Sequence, residues 1–125
     1  MNMEQKYKDL LLQDLCGRLP YKVKASYYGA EEECECWDEV EGIVNDYVEI
    51  GQYSLPIEAV KPYLFPLSSM TEEQKKEWQS LMIRDPYGIL YYTIYSYDYL
   101  YKNHIDIRGL IPKGLANDAT GLNVY

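Results

Sequence analysis

Hydrophobic residues recur at helical spacing at the start of the chain and at alternating positions directly after it. Residues 3–19 are predicted to form an amphipathic helix with apolar positions at Met3, Tyr7, Leu10, Leu11 and Leu15. Residues 21–27 then alternate between apolar and polar side chains. Alternation is the period of a half-buried strand, so a helix followed by a strand is expected to open the chain.

A second alternating run covers residues 34–44 and leads into two candidate turns. Asn45 and Asp46 tolerate the positive backbone angle φ of a tight hairpin turn, and Gly51 permits a second turn. Strands are therefore expected at 34–44, 47–50 and 53–55. Because connections this short cannot carry a parallel crossover, the pattern predicts an antiparallel meander of three or four strands.

The second half of the chain begins with three prolines, at positions 56, 62 and 66, which predict an extended connector. Thr71 and Gln74 fit a capping box and predict the start of a helix. A turn is expected at 85–88, another helix at 89–103 and a packed irregular cap at 105–116. The predicted fold class is α+β, in one domain spanning residues 1–125: an N-terminal helix, the meander, two C-terminal helices and the cap.

Length and composition are typical of a small globular protein. A chain of 125 residues can bury about two thirds of the surface that it exposes when unfolded. Its start has no apolar stretch of signal-peptide length, and no segment approaches the about 18 apolar residues of a membrane span. Three cysteines match no disulfide framework. Cytoplasmic localisation is therefore expected.

Charge is distributed unevenly along the chain. The net charge is −8, and the segment between Ala25 and Val60 holds ten acidic residues but no lysine or arginine. The rest of the chain has ten acids and twelve cations. An acidic segment repels nucleic-acid phosphates, so direct binding of DNA or RNA through it is not expected. A basic protein partner fits it better.

The cysteines and the acidic run are the candidate metal ligands. Cys16, Cys34 and Cys36 with His104 offer four potential zinc ligands. Structural zinc usually uses two C-x-x-C hooks, whereas C-x-C on a strand only places two thiols on one side of a sheet. The cysteines are therefore interpreted as small residues beneath the first helix, with a redox pair as an open alternative. The acidic run lacks the signature of a calcium loop. Neither a metal nor another cofactor is predicted.

His104, Asp106 and Arg108 are the candidate catalytic residues. They stand two apart, so in an extended segment they share one face. A histidine and a carboxylate there form an acid/base pair, and the guanidinium forms an anion clamp. The structural alternative is that Asp106 and Arg108 pair locally or satisfy buried backbone groups. A hydrolase also needs a nucleophile or a metal beside His104, and the sequence identifies none.

Acidic and aromatic side chains that cannot all face inward are the candidate interaction residues. Fifteen tyrosines stand against one phenylalanine, and six of them cluster between positions 91 and 101. Exposed aromatic side chains mark interfaces, although solvated decoration of the helix is the alternative. The predicted interaction residues are Glu35, Trp37, Glu39, Glu41, Tyr95 and Tyr99.

Three separated stretches resemble one protein family. They are DLCGRLPY at 14–21, VKPYLFPLSSMTEE at 60–73 and DIRGLIPKGLA at 106–116. Together they resemble a recurrent group of small uncharacterised proteins encoded by gut anaerobes of the Bacteroides type, often among phage or mobile-element genes. The resemblance implies a cytosolic accessory protein acting on host machinery, and it carries no known activity or catalytic residue.

The sequence thus favours a small acidic protein-interaction or regulatory module of phage or mobile-element type over an enzyme. Its expected partner is another protein, basic or aromatic-binding, rather than a nucleic acid or a membrane, and a homo-oligomer stays open. The alternative is a small enzyme or ligand-binding protein with a site around His104, Asp106 and Arg108.

Overall fold

The computed structural model describes residues 3–28 and 35–125. The fold is α+β, as predicted. In chain order the helices and strands are α1 (Gln5–Arg18), β1 (Lys24–Tyr28), β2 (Glu35–Val44), β3 (Tyr47–Ile50), β4 (Tyr53–Pro56), β5 (Val60–Leu64), α2 (Glu72–Ser80), β6 (Ile83–Arg84), β7 (Leu90–Tyr91), α3 (Ile94–Lys102) and β8 (Asn117–Asp118). The sequence also predicts a turn at Gly29-Ala30 and the acidic triplet after it, leading into the second alternating run, but these residues lie outside the described part of the chain.

The main core lies between α1 and one face of the sheet. Leu11 and Leu15 of α1 are fully buried there, and Val23 and Ala25 are buried opposite them. Burial contributes about 1.5–3 kcal/mol for each such leucine, because its apolar surface leaves water. The N-terminal helix and the buried face of the first strand are both confirmed.

The predicted meander is confirmed in β2, β3 and β4. These strands pair antiparallel through two tight turns. Asn45 and Gly51 both adopt left-handed backbone conformations, with φ of 55° and 59°. The predicted strand count is too low, however, because the sheet has six strands in the order β4-β3-β2-β1-β5-β8.

The stretch expected to be an extended connector over residues 56–66, broken at most by one helical turn around Ile57 to Lys61, has a short 3-10 helix at Ile57–Ala59 and is otherwise largely extended, but Val60–Leu64 pair as strand β5, which was not predicted. Pro62 lies opposite Ala25 of β1 in an antiparallel pair. Next to this pair, the hydroxyl of Tyr125 accepts a hydrogen bond from the backbone N–H of Lys24 (2.9 Å) and donates one to the carbonyl of Tyr63 (2.8 Å). A side chain from another part of the chain therefore bridges two strands where the proline cannot donate. Strand β8 adds a short parallel pair beyond β5.

The two C-terminal helices are confirmed, although one is shorter than expected. Thr71 and Gln74 form the predicted capping box at the start of α2. The helix expected over 89–103 begins only at Ile94, and β6 and β7 form an antiparallel hairpin around the predicted turn. Tyrosine and isoleucine favour strands, and a second capping box, between Thr93 and Ser96, sets the helix start.

A smaller core joins the C-terminal part to the sheet. Met70, Leu100 and Ile105 are buried together, with Phe65 and Trp78 packed against them. Residues 105–116 are irregular, as predicted. In the part of the chain that the structure describes, no helix has the length and apolarity needed to cross a membrane.

Candidate functional site

The carboxylate of Asp106 is engaged by backbone N–H groups, which leaves it unsuited to act as an acid or base. The side chain is buried and accepts hydrogen bonds from the N–H of Leu110 (2.8 Å) and of Ile111 (2.9 Å). It closes the turn that begins the irregular cap. A carboxylate used in this way satisfies buried backbone donors.

Arg108 belongs to a buried charge network rather than to a pair with Asp106. Its Nη1 donates to Oδ1 of Asp14 (2.9 Å), and its Nη2 donates to the hydroxyl of Tyr101 (3.0 Å). The network therefore joins the cap to α1 and α3 across 94 residues of sequence. Of the two structural alternatives, local pairing of Asp106 with Arg108 is not found, whereas Asp106 satisfies buried backbone N–H groups, as the other alternative expects.

Asp14 and Arg18 form the centre of this network and are both fully buried. Nε of Arg18 donates to Oδ2 of Asp14 at 2.6 Å, and Nη2 donates to Oδ1 at 3.0 Å. Nη2 also donates to the carbonyl of Ile105 at 2.6 Å. Two guanidinium groups thus share one carboxylate, which leaves an excess of positive charge inside the protein.

Tyr101 lies against both arginines and is seated closely on α1. Its ring centroid is 5.2 Å from Cζ of Arg18 and 5.8 Å from Cζ of Arg108. Gly17 makes room for it, because a Cβ at that position would stand 2.5 Å from Cζ of the Tyr101 ring. The network therefore depends on a small residue as well as on charge.

His104 lies apart from Asp106 and Arg108 in its contacts. Its ring stacks on Tyr125 with centroids 3.6 Å apart and an interplanar angle of 11°. Burial, then the positive charges of Arg18 and Lys24, lower the pKa of His104 to about 4. The imidazole is therefore neutral at pH 7. Within the described residues, its buried Nδ1 has no hydrogen-bond partner.

An open cleft of about 470 Å³ lies beside His104. Among the residues that the structure describes, no carboxylate lines it, although the whole chain carries a net charge of −8. Lys102 is its cation, and Lys102 makes no ion pair within the described residues. The remaining lining residues are Phe65, Ser69, Gln74, Asn103, His104, Ile105, Thr120 and Gly121.

Among the described residues the candidate metal ligands form no cluster, and Cys16 does not lie beneath the first helix as expected. Cys16 is exposed on α1, whereas Cys36 is half-buried and packs against the main core. Cys34 lies outside the described residues. Among residues 3–28 and 35–125, no three His, Cys, Asp or Glu side chains form a group that could hold a metal ion.

The sheet face away from α1 carries the acidic interaction residues, but lysines interrupt it. Lys24 lies opposite Glu39, and Lys61 lies on the same face through its pairing with Ser26. Glu41 is exposed and Glu39 is half-buried. Negative charge free of lysine is therefore limited to the β2–β4 side of this face, which narrows the predicted continuous acidic surface.

Trp37 is half exposed on this face and already has neighbours. Its ring meets Tyr63 edge-on at 6.5 Å, and Nζ of Lys24 lies 5.2 Å from its centroid. Glu35 begins β2, and its side chain lies outside what the structure describes.

The two predicted tyrosines of α3 have different environments. Tyr95 is 69% exposed. The hydroxyl of Tyr99 instead donates to Oε2 of Glu77 on α2 at 2.7 Å. Burial, followed by the nearby carboxylate of Glu77, raises the pKa of Tyr99 to about 12. Tyr99 therefore joins two helices, whereas Tyr95 faces water.

A group of exposed apolar side chains lies within residues 83–95. We call it the aromatic surface, and it consists of Ile83, Tyr87, Ile89, Tyr91, Ile94 and Tyr95, all more than half exposed. Ile83 lies directly opposite Tyr91 in the hairpin, and alternation places Ile89 on the same side. Monomeric proteins rarely expose so many large apolar side chains within one short segment.

Polar contacts within the hairpin fix the backbone that carries this surface. Oδ1 of Asp85 accepts from the N–H of Tyr87 and of Ile89, both at 2.9 Å, and Oδ2 accepts from the hydroxyl of Tyr91 at 3.2 Å. Nη1 of Arg84 donates to the carbonyl of Gly88 at 2.9 Å. The aromatic surface is therefore ordered without a core of its own.

Sequence reasoning missed the hairpin half of the aromatic surface and the partners of Arg108. Asp14 and Arg18 continue the helical stripe through Tyr7 and Leu11 at steps of three and four. Two charged residues on the apolar stripe of a helix are the signal that could have revealed a buried pair.

No family model matches the chain, and neither a curated protein nor a solved structure matches it. Function is therefore inferred from the chain's own side chains.

Proposed function

We propose that the chain is a protein-interaction module that binds its partner through the aromatic surface. The observation that carries the proposal is the exposure of six large apolar side chains on one hairpin and the helix turn after it, led by Tyr87 at 90% and Ile94 at 71%. Such side chains lose contact with water when a partner covers them, and tyrosine is enriched at binding hot spots. The predicted phage or mobile-element context stays a prediction.

Charge distribution supports the same region. Residues 89–97 carry no charged side chain, in a chain that is 26% charged. The cores of protein interfaces are depleted of charge, with the polar residues at the rim. Arg84 and Asp98 lie on either side of this run in the sequence and suit such a rim. Asp85 lies opposite Ile89 within the hairpin, where its carboxylate accepts hydrogen bonds from Tyr87, Ile89 and Tyr91.

Order in the unbound state also supports a binding role. The bonds from Asp85 and the Thr93 capping box fix the hairpin and the first turn of α3 before any partner arrives. A surface that is already ordered loses less conformational entropy on binding, so more of the contact energy appears as affinity.

Partner binding is tested with two variants that remove similar side chains from different places. Tyr87→Ser/Tyr95→Ser removes two rings from the aromatic surface. Val44→Ser/Tyr47→Ser removes two exposed side chains from the sheet face and is the matched control. Proteins retained from the native host by the wild-type chain are identified, and their affinity is then measured with purified components.

We expect a partner that binds the wild type and the control equally and binds the Tyr87→Ser/Tyr95→Ser variant at least about 30-fold more weakly, since each hot-spot residue contributes more than about 1 kcal/mol. A partner lost only with the control would move the function to the sheet face. Retention that neither variant changes would contradict the proposal.

The His104 cleft supports a second candidate function, the binding of a small organic anion. Its lining combines one unpaired cation, several uncharged polar groups and two apolar side chains, without any carboxylate. Its volume falls in the range of small-molecule sites, about 300–1,000 Å³. Asp106 and Arg108, the other members of the predicted site, take no part in the lining.

Benzoate and inorganic phosphate are suitable probes for this cleft, with benzamide as the uncharged control. Binding there shifts the NMR signals of residues 102–104 and 120–121 with benzoate or phosphate but not with benzamide. Lys102→Gln weakens the binding about two- to fivefold, as loss of one exposed ion pair does. Equal shifts with benzamide, or shifts elsewhere only, would rule this candidate out.

A further inference from the structure

We infer that the occupant of the aromatic surface is a second copy of this chain, so that the protein is a homodimer joined through Ile83, Tyr87, Ile89, Tyr91, Ile94 and Tyr95. The inference rests on the proposed function and names the partner. Two features of the described residues support it: the exposed area and the charge pattern.

The exposed area is large enough for a stable dimer. A large side chain presents about 150–250 Å² in full, so the exposed fractions of these six residues give roughly 800 Å². A specific interface of standard size buries about 800 Å² on each partner. Covering most of this surface would therefore supply the larger part of one such interface.

Charge also favours a second copy over a basic partner. The chain has a net charge of −8, so two copies repel each other wherever their acidic surfaces meet. The run from Ile89 to Tyr97 has no charge and avoids this repulsion. A basic partner would gain nothing from an uncharged surface, whereas homodimer interfaces are the most apolar class.

The mass of the purified full chain in solution, measured by light scattering over a range of concentrations, tests this inference. The wild type and the Val44→Ser/Tyr47→Ser control should approach twice 14.7 kDa as concentration rises. Tyr87→Ser/Tyr95→Ser should stay at 14.7 kDa at concentrations at least about 30-fold higher.

A wild type that stays monomeric up to millimolar concentration overturns the inference. If that monomer still binds another protein through Tyr87 and Tyr95, the proposed function stands with a different occupant. If the monomer binds no other protein through these residues, the proposed function and the homodimer inference are both overturned. A dimer that the control variant abolishes and Tyr87→Ser/Tyr95→Ser leaves intact places the contact on the sheet face and also overturns the inference.

Discussion

The buried charge network and the aromatic surface use residue types in opposite ways. Asp14, Arg18 and Arg108 are residues of the kind found in active sites, yet they bind one another and the backbone between α1, α3 and the cap. Tyr87 and Ile94 are of the kind found in cores, yet water surrounds them. The type of a residue therefore does not show whether it supports the fold or is free to bind a partner. Its burial distinguishes the two cases.

The largest expected effect comes from the centre of the network. Asp14→Asn removes the carboxylate that Arg18 and Arg108 share, and leaves two guanidinium groups facing a neutral amide. Breaking a buried pair from one side costs about 3–5 kcal/mol, because the remaining charge loses its partner. Urea unfolding measures the free energy of unfolding directly.

Asp9→Asn is the matched control, since Asp9 lies on the exposed side of the same helix. We expect it to change the free energy of unfolding by less than about 0.5 kcal/mol. An Asp14→Asn loss no larger than that of the control would show that the network does not hold the fold.

A smaller effect is expected at the glycine that seats Tyr101. Gly17→Ala places a methyl group 2.5 Å from the ring that contacts both arginines, so the ring must move. Overpacking of this kind costs about 1–3 kcal/mol, against the gain of up to about 1 kcal/mol that alanine brings to a helix. The free energy of unfolding should therefore fall.

Gly42→Ala serves as the comparison for Gly17→Ala. A Cβ at Gly42 meets only Cγ of Glu49, at 4.0 Å. We expect little change there. If Gly17→Ala is instead as stable as the wild type or more stable, Tyr101 has room to move and the network is looser than described.

The pH dependence of stability tests whether His104 belongs to the buried region. Its pKa is about 4 in the folded chain and has the ordinary value of 6.5 when unfolded. Between pH 4 and 6.5 the unfolded chain protonates His104 more readily than the folded chain does. The stability that neutral His104 contributes is therefore complete above about pH 6.5 and is lost as pH falls toward 4. Acidification therefore destabilises the wild type through this residue.

His104→Asn isolates this contribution, because asparagine tolerates the positive φ of 59° at this position. As pH falls from 6.5 to 4, the wild type should lose more free energy of unfolding than the variant does. A constant difference across this range would mean that the imidazole titrates normally in the folded chain.

The sequence predicted the meander well because local rules decide it. Asn45 and Gly51 mark the turns, and alternation fixes which side of each strand is buried. The predictions failed where distant contacts override local ones. Pro62 argues against a strand by itself, and only its pairing with β1 and the bridge from Tyr125 make one.

The candidate site was predicted less well for the same reason. The spacing of His104, Asp106 and Arg108 gave no information about Asp14, which lies on another helix and determines what Arg108 does. Tyr95 was predicted as an interaction residue and is exposed, but the exposed Tyr87 and Ile83 were not predicted, because two-residue strands are too short to show a period.

The smallest expected effect on stability belongs to the aromatic surface, and it tests the central contrast most directly. The free energy of unfolding of Tyr87→Ser/Ile94→Ser/Tyr95→Ser, measured at a concentration where the chain is monomeric, should lie within about 1 kcal/mol of the wild type, since exposed substitutions each change it by less than about 0.5 kcal/mol. A loss comparable to that of Asp14→Asn would contradict the account, because these side chains would then be part of the core rather than a surface for binding.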